Sequence, residues 1–452
     1  MGCGPVLYSN VILSVSLLYL AKVEANCDGD DDNLVCDKVY GFDPRSINTT
    51  IGTISGLMAA FMLPLIGAIT DSTRHRRTLG IITAAVLMSI QAIQIYTVQE
   101  TWFIMSILQA INGFLYQVLI LTFYAYLPEI GRDVGGETMN KYSSGYYVYL
   151  FGTQVTFAVV IIALAAGFQL STVPLAMLSQ ALNVPVSGFF FFLAWRYFTP
   201  KEPKRILGPN ESVLTSGFLQ VFRTAKGIYN SYGSTLGMFL LAVVMMESGA
   251  NAFTVVAVTY LEAVVEMDGT QIGVVFLIVL ISTIPGSFIS RAIINKTNPL
   301  TSLKIQLCFF ISFNFLAFLT MTGGGDKVLA FVYAAVWGVL LGWFYPSELL
   351  IFSMIMPEGQ ESELSGFYMY CTQILGWLPP LVFTIMNERG INLSWGGIHL
   401  NIFLFIGLCF LQLMPTWEKC VEVSNAPNKI SIEVCNITPK ELKDRESETR
   451  LL

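Results

Sequence analysis

The chain consists mainly of long apolar runs separated by short polar breaks. Twelve such runs can be followed, and most approach the roughly 20 apolar residues that a helix needs to cross a bilayer. They cover residues 6–20, 51–69, 79–96, 102–127, 146–168, 173–198, 236–261, 272–289, 303–321, 328–356, 365–385 and 398–414. None alternates polar and apolar positions as a barrel strand would. The pattern predicts an all-α polytopic membrane protein with twelve transmembrane helices.

The first run allows two interpretations. It is short, and Val23-Glu24-Ala25 behind it resembles a signal-peptidase site. However, no Lys or Arg precedes the run, whereas a signal peptide usually begins with positive charge. We therefore predict a retained first span.

The longest internal polar stretch, residues 200–233, divides the runs into six and six. Paired six-helix halves are typical of many secondary transporters. The sequence predicts a six-helix bundle over 1–199, a cytoplasmic linker over 200–233 and a second bundle over 234–415. The polar segment 416–452 is predicted to be a disordered tail on the cytoplasmic side.

Basic residues distinguish the two sides of the membrane. With the N-terminus in the cytoplasm, 20 of the 25 Lys and Arg residues fall in cytoplasmic segments, as the positive-inside rule requires. Two sequons, Asn48 and Asn392, then face the other side and are the candidate glycosylation sites. Cys27 and Cys36 share a loop on that side, where an oxidising compartment would permit a disulfide.

Composition supports a membrane protein and argues against an enzyme. Hydrophobic residues make up 54% of the chain and charged residues only 12%, about half the charged fraction of a soluble protein. No phosphate-binding loop, His-Glu-x-x-His or Cys-x-x-Cys motif occurs in the sequence, which has two histidines. No cofactor, metal, nucleic acid or oligomer is implied; the expected partners are a small-molecule substrate, a proton and membrane lipid.

Two acidic residues fall inside predicted spans, where a charge is costly and marks function by default. Glu247 is near the middle of the seventh run, and Asn251 follows it one helical turn later. Glu348 follows Pro346 in the tenth run. Glu247 is predicted to take up and release a proton, the alternative being a structural acid between helices. Glu348 is predicted either to bind an ion or substrate, or to hydrogen-bond with backbone groups that Pro346 leaves unpaired.

Neutral polar residues form a second group of candidates. Each could contact substrate, or could join helices by hydrogen bonds. They are Gln109, Asn112 and Tyr116 in the fourth run, Tyr146 in the fifth and Gln373 in the eleventh. Together they favour a polar cavity with few fixed charges, suited to a small polar or zwitterionic solute.

The turn between the second and third runs carries a recognisable motif. Gly67 and Asp71 are followed by Arg74, Arg76 and Arg77. This arrangement resembles the signature loop of the major facilitator superfamily. The resemblance implies two six-helix bundles that alternate access, with these five residues acting as a cytoplasmic gate and Asp71 as a latch to the opposing bundle.

Two further segments resemble one particular family within this superfamily. The stretch 357–383, which contains Gly376-Trp377-Leu378-Pro379-Pro380, and the loop beginning Leu127-Pro128-Glu129 are similar to the vacuolar effluxer family linked to autophagy. The resemblance implies amino-acid export across a vacuolar or lysosomal-type membrane. Two features depart from the family pattern.

The seventh run has Glu247 where the family usually has Asp, and the tenth has Ser347-Glu348-Leu349 where it usually has Ser-Arg-Ser. These departures leave the substrate open. The alternatives are a sugar- or lipid-type symporter of the same superfamily, or a receptor or scaffold built on a transporter fold.

Overall fold

The computed structural model describes residues 1–27, 37–124, 126, 136–199, 213–357 and 361–425. Its helices in the N-terminal half and linker are α1 Cys3–Glu24, α2 Ile47–Ser72, α3 Arg76–Ile93, α4 Trp102–Tyr124, α5 Gly136–Phe168, α6 Thr172–Tyr197 and α7 Val213–Tyr232. In the C-terminal half they are α8 Met238–Ala263, α9 Gly269–Lys296, α10 Pro299–Thr320, α11 Lys327–Ile355, α12 Glu361–Cys371, α13 Leu378–Glu388, α14 Leu393–Ile398, α15 Leu400–Leu413 and α16 Trp417–Asn425.

The helices reproduce the predicted all-α membrane fold. Within the described residues, 11 helical segments are long and apolar enough to span a membrane. The remaining predicted span, 365–385, is present as α12 and α13 separated by residues 372–377. Pro379 and Pro380 have no backbone N–H, so a continuous helix could not form its hydrogen bonds there. The eleventh span is therefore interrupted near its middle.

The first apolar segment is an integral part of its bundle. Helix α1 packs against α5 and α6, and 61% of its apolar window is buried, a larger share than in most other spans. Its Tyr8 lies edge-on to Phe157 of α5, with ring centroids 6.3 Å apart. These contacts agree with the prediction of a span in this position.

Each half packs its own helices around an apolar core. In the N-terminal bundle α2 lies against α4, and α3 against α4 and α6; in the C-terminal bundle α8 lies against α15, and α9 and α10 against α11. Phe253 is central to the second core, with its ring 4.7 Å from that of Trp337 and 5.9 Å from that of Phe310. The bundles meet where α2 contacts α8 and α13, and where α9 contacts α1 and α5.

The tail prediction needs one correction. Residues Trp417–Asn425 form α16, although the sequence predicts disorder from residue 416 onward. Cys420 is fully buried and Trp417 packs against the C-terminal core. Burial of Cys420 and packing of the partly buried Trp417 order a segment whose average composition is polar.

Candidate functional site

The two intramembrane acids lie together. Glu247 on α8 and Glu348 on α11 are 5% and 1% exposed, and their carboxyl groups are close enough to hydrogen-bond to each other. The Tyr368 hydroxyl on α12 donates to Glu348 Oε1 at 2.7 Å. Three helices of the C-terminal bundle thus converge on one pair of carboxyl groups.

The hydrogen bonding of the Glu247–Glu348 carboxyl pair requires a proton. Glu348 Oε2 is buried and has no donor among the residues that the structure describes, unless Glu247 carries a proton and donates it. Two adjacent negative charges in a buried site repel strongly, whereas one shared proton removes the repulsion. The arrangement can therefore hold and release a proton as one unit.

The backbone around Pro346 is satisfied by another residue, so Glu348 does not serve that purpose. Pro346 cannot donate to the Gly342 carbonyl one turn earlier in α11. Ser287 on α9 donates to that carbonyl instead, at 3.1 Å. The close approach depends on Gly342, because a Cβ there would lie 2.1 Å from the Thr283 carbonyl oxygen. The predicted alternative for Glu348, a backbone-satisfying acid, is thus corrected.

Asn251 and Gln373 meet at the interruption of the eleventh span. The Asn251 side chain is exposed one turn beyond Glu247 and donates to the Thr372 carbonyl at 3.3 Å. Gln373 donates to the Thr372 hydroxyl at 3.3 Å. Non-helical backbone at membrane depth is tolerated where it lines a cavity or packs on protein. Both candidates therefore contact Thr372, and Asn251 lies one turn after Glu247 on α8.

Gln109 and Asn112 do not join this region. Asn112 is fully buried and donates to Asn10 Oδ1 on α1 at 2.9 Å. Gln109 is 6% exposed and accepts from Gln94 at 3.0 Å. Their hydrogen bonds join helices inside the N-terminal bundle, so of the two predicted roles the structure favours helix packing. Asn10, which accepts bonds from Gln109, Asn112 and also Gln91, was missed; a lone Asn in an apolar run was the available signal.

The two tyrosine candidates are less informative. Tyr116 is half-buried on α4 and packs beside the core of the N-terminal bundle. Tyr146 belongs to α5, but its side chain lies outside the described part of the structure.

The arginines of the α2–α3 turn contact their own bundle. Arg76 is 1% exposed, donates to the Thr70 carbonyl at 3.0 Å and lies over the Tyr126 ring. Arg77 donates twice to the Trp195 carbonyl, at 3.2 and 3.0 Å.

The other members of the predicted gate add little to this picture. A Cβ at Gly67 would meet no atom of the described residues within 4 Å. Arg74 is exposed, and the Asp71 side chain lies outside the described residues. A latch from this turn to the opposing bundle stays a prediction.

A direct interface between bundles, which the sequence analysis missed, lies at the opposite end of α2. The Asn387 amide donates to Ser46 Oγ at 2.7 Å, and the hydroxyls of Thr49 and Thr384 are 2.8 Å apart. Both hydrogen bonds join the start of α2 to α13, and the two segments run antiparallel to each other. This pairing closes the side of the molecule opposite the basic α2–α3 turn.

The same interface continues through glycines. A Cβ on Gly56 would lie 2.8 Å from the Trp377 backbone nitrogen, and one on Gly52 would lie 3.7 Å from Pro380. Small residues at this four-residue spacing let transmembrane helices approach closely. We call the four facing pairs the α2–α13 interface; they are 46 with 387, 49 with 384, 52 with 380 and 56 with 377.

Ion pairs flank the α2–α13 interface. Lys22 of α1 lies 2.7 Å from Glu262 of α8, and Lys38 lies 2.6 Å from Glu388 of α13. Each pair joins an N-terminal residue to the C-terminal bundle. The hydrogen bond and charge of Glu388 raise the pKa of Lys38.

Asp43 completes this charged rim. Its backbone N–H donates to Glu388 and its carboxylate pairs with Arg45 at 2.8 Å. Burial disfavours the charged carboxylate, but the hydrogen bonds and charge of Arg45 outweigh burial and hold the pKa of Asp43 below its ordinary value. Asp43 therefore stays charged in mildly acidic solution.

The glycosylation candidates differ. Asn48 lies within α2, is 3% exposed and has a buried amide nitrogen. An oligosaccharide could not be attached there in this conformation, so that prediction is corrected. Asn392 is exposed and caps α14.

Cys27 is in a disulfide, whereas Cys36 lies outside the described residues, so their pairing stays a prediction.

Comparison with solved structures supports the fold. A crystal structure of a point mutant of the nucleoside transporter NupG aligns with a TM-score of 0.57 and 13% identity, over 92% of this chain and 100% of that chain. A second NupG crystal structure gives a TM-score of 0.48 and 14% identity, over 91% and 98% of the respective chains. No curated protein sequence matches the chain.

A family model matches most of the sequence. The family "Vacuole effluxer Atg22 like" aligns with residues 16–145 and 137–423. The matched segments include the end of α1, the α2–α3 turn, both acids and the interrupted eleventh span. The chain therefore belongs to the vacuole effluxer Atg22-like family, a group of transporters of the major facilitator type.

Proposed function

We propose that this transporter moves a small polar solute of the amino-acid class by alternating access, with protons as the coupling ion, in a vacuolar or lysosomal-type membrane. The observation that carries the proposal is the buried pair of Glu247 and Glu348 with Tyr368 beside it. Neutral donors and acceptors such as Asn251 and Gln373 suit an amino acid better than they suit a strong anion.

The coupling step follows from how the pair is held. When one proton is present, Glu247 donates to Glu348 and the two carboxyl groups share a single negative charge. When that proton leaves, two charges face each other and one side chain must move apart or recruit a cation. Tyr368 transmits this movement to α12, which ends at the interrupted segment that Asn251 contacts.

Alternating access requires the bundles to part on one side while they close on the other. In this conformation the α2–α13 interface and the Lys22–Glu262 ion pair close the side opposite the basic turn. The predicted orientation makes this the luminal side, so this conformation is closed toward the lumen. Release of solute into the cytoplasm agrees with the direction of a vacuolar effluxer.

The coupling is tested by replacing Glu247 with Gln in proteoliposomes. Glu247→Gln keeps size and hydrogen bonding but removes the exchangeable proton, so stimulation of uptake by a pH gradient should disappear. Counterflow of labelled solute without a gradient should continue, because exchange needs no net proton movement. Glu100→Gln, which alters an exposed acid outside the spans, is the matched control. Undiminished stimulation by pH in Glu247→Gln would remove the assignment.

The substrate class is tested separately by competition. Unlabelled amino acids, sugars, nucleosides and lysolipids are compared as inhibitors of counterflow of a labelled amino-acid mixture in the parent protein. We expect inhibition by amino acids only. Inhibition by sugars or lysolipids would replace the substrate assignment while leaving the proton assignment intact, and binding without exchange would indicate a receptor.

A further inference from the structure

A groove on the outer surface of the C-terminal bundle lies outside the proposed transport site. It has a volume of about 490 Å³ and is formed by one face of α10 together with Gln412 of α15. Thr301, Lys304, Cys308 and Ser312 follow one another along that face at helical spacing. The groove thus runs along a transmembrane helix and opens toward the surrounding membrane.

The length of the groove matches one leaflet. Thr301 and Ser312 are separated by roughly 16 Å along the helix, at about 1.5 Å per residue. The hydrocarbon core of a bilayer is about 30 Å thick, so this distance is close to one leaflet. In the middle of the groove Cys308 and Phe309 are exposed, the latter by 47%. Ser312 donates to the Cys308 carbonyl, so its hydroxyl is already satisfied.

One end of the groove is polar and cationic. Lys304 lies near the start of the 22-residue helix α10, whose first residue is Pro299. Among described residues its ammonium has no ion pair. The N-terminal end of the helix adds partial positive charge. Thr301 and Gln412 supply hydrogen-bonding groups beside it.

The neighbouring helix α16 indicates the depth of this end. Cys420 on α16 lies near Lys304, and Trp417 begins the same helix. Tryptophan is enriched at the membrane–water boundary. The ammonium of Lys304 therefore lies at the level of lipid headgroups, and Phe309 at the level of acyl chains.

From this arrangement we infer that the groove binds an anionic phospholipid, with its phosphate at Lys304 and an acyl chain along Cys308 and Phe309. A basic residue between transmembrane helices at headgroup level is a recognised means of holding anionic lipid. In the predicted orientation the lipid belongs to the cytoplasmic leaflet. It contacts α10 and α15, both of which pack in the bundle that carries the acid pair.

The test is lipid retention by the purified full-length protein, measured by native mass spectrometry after equilibration with equal phosphatidylinositol and phosphatidylcholine. Lys304→Gln should lower phosphatidylinositol retention about fivefold, the equivalent of about 1 kcal/mol for one cation near the membrane surface. Lys304→Arg should retain it. Lys296→Gln, which removes an exposed cation on the same side but outside the groove, is the matched control.

Two further measurements separate the parts of the inference. Phe309→Ala should lower retention of both lipids, because it removes contact with the chain and leaves the cation in place. Excess inorganic phosphate should not displace phosphatidylinositol if headgroup and chain bind together. Equal retention by Lys304→Gln and the parent would overturn the inference, and so would complete displacement by phosphate.

Discussion

Replacing Gly56 by Ala tests whether the α2–α13 interface is the closed gate of the transporter. The Gly56 backbone lies directly against Trp377, the residue that precedes α13. Alanine is a better helix former than glycine, so α2 itself should gain about 1 kcal/mol of stability. Any loss of closure must therefore come from the contact between bundles.

The magnitude follows from the distance. An alanine Cβ would lie 2.8 Å from the Trp377 nitrogen, whereas ordinary contact begins at 3.4 Å. The backbones must separate by roughly 0.6 Å, and overpacking of this kind typically costs about 1–3 kcal/mol. Only the closed conformation bears this cost, because the two bundles part when the gate opens. The ratio of open to closed molecules should rise roughly 5- to 150-fold.

Cysteine accessibility provides the assay. Thr49 is fully buried in the same interface, so Thr49→Cys should react slowly with a membrane-impermeant maleimide added from that side. Adding Gly56→Ala should raise the reaction rate at least about fivefold, the lower end of the expected shift. Gly188→Ala is the matched control, since within the described part of the chain a Cβ at Gly188 would meet nothing within 4 Å.

Two results would refute the reasoning. One is an unchanged labelling rate in the Gly56→Ala variant, which would mean that the interface yields without cost. The other is an equal increase with Gly188→Ala, which would indicate general loosening of the fold. A melting curve of each variant separates local opening from unfolding.

Three further predictions concern the same side of the molecule. Oxidation of a Thr49→Cys/Thr384→Cys variant should block transport, and a reductant should restore it. Transport by either single variant should be insensitive to oxidation. Unimpaired transport after confirmed cross-linking would exclude this gate. In a glycosylating host, Asn392→Gln should abolish the shift in mobility caused by glycosidase and Asn48→Gln should not; loss of the shift with Asn48→Gln would contradict its burial. The lowered pKa of Asp43 means that its stabilising charge is present above its ordinary pKa and lost as pH falls through the lowered value. The melting temperature of Asp43→Asn should therefore lie below that of the parent between about pH 5 and pH 8, and the gap should shrink below about pH 4; a gap that widens in acid would be inconsistent with this sign.

Most of the fold could be predicted because lipid imposes a simple rule. Backbone groups in a bilayer must be hydrogen-bonded internally, so each apolar run of sufficient length becomes a helix. The eleventh run shows the limit of that rule. Its hydropathy predicts one helix, but Pro379 and Pro380 remove two donors and divide the run into α12 and α13. The prolines were visible, whereas the resulting contact with Asn251 was not.

The candidate site was only partly predictable. Glu247 was identifiable because an acid is costly inside a span, and Asn251 followed from helical spacing. Asn112 was selected by the same spacing, but it faces Asn10 in its own bundle. Periodicity states which residues share a face of a helix, and not which neighbour that face meets.

By itself, the sequence determined the all-α membrane class and the individual acids. Hydrophobic length and the cost of an intramembrane charge are local properties, and each can be evaluated from one segment. Only the tertiary structure decided that Glu247 meets Glu348, 101 positions apart by their numbering, and that Ser287 replaces the donor lost at Pro346. It also decided that Gly56 touches Trp377. These outcomes depend on which helices pack together and in what register, and such pairings are properties of the whole bundle.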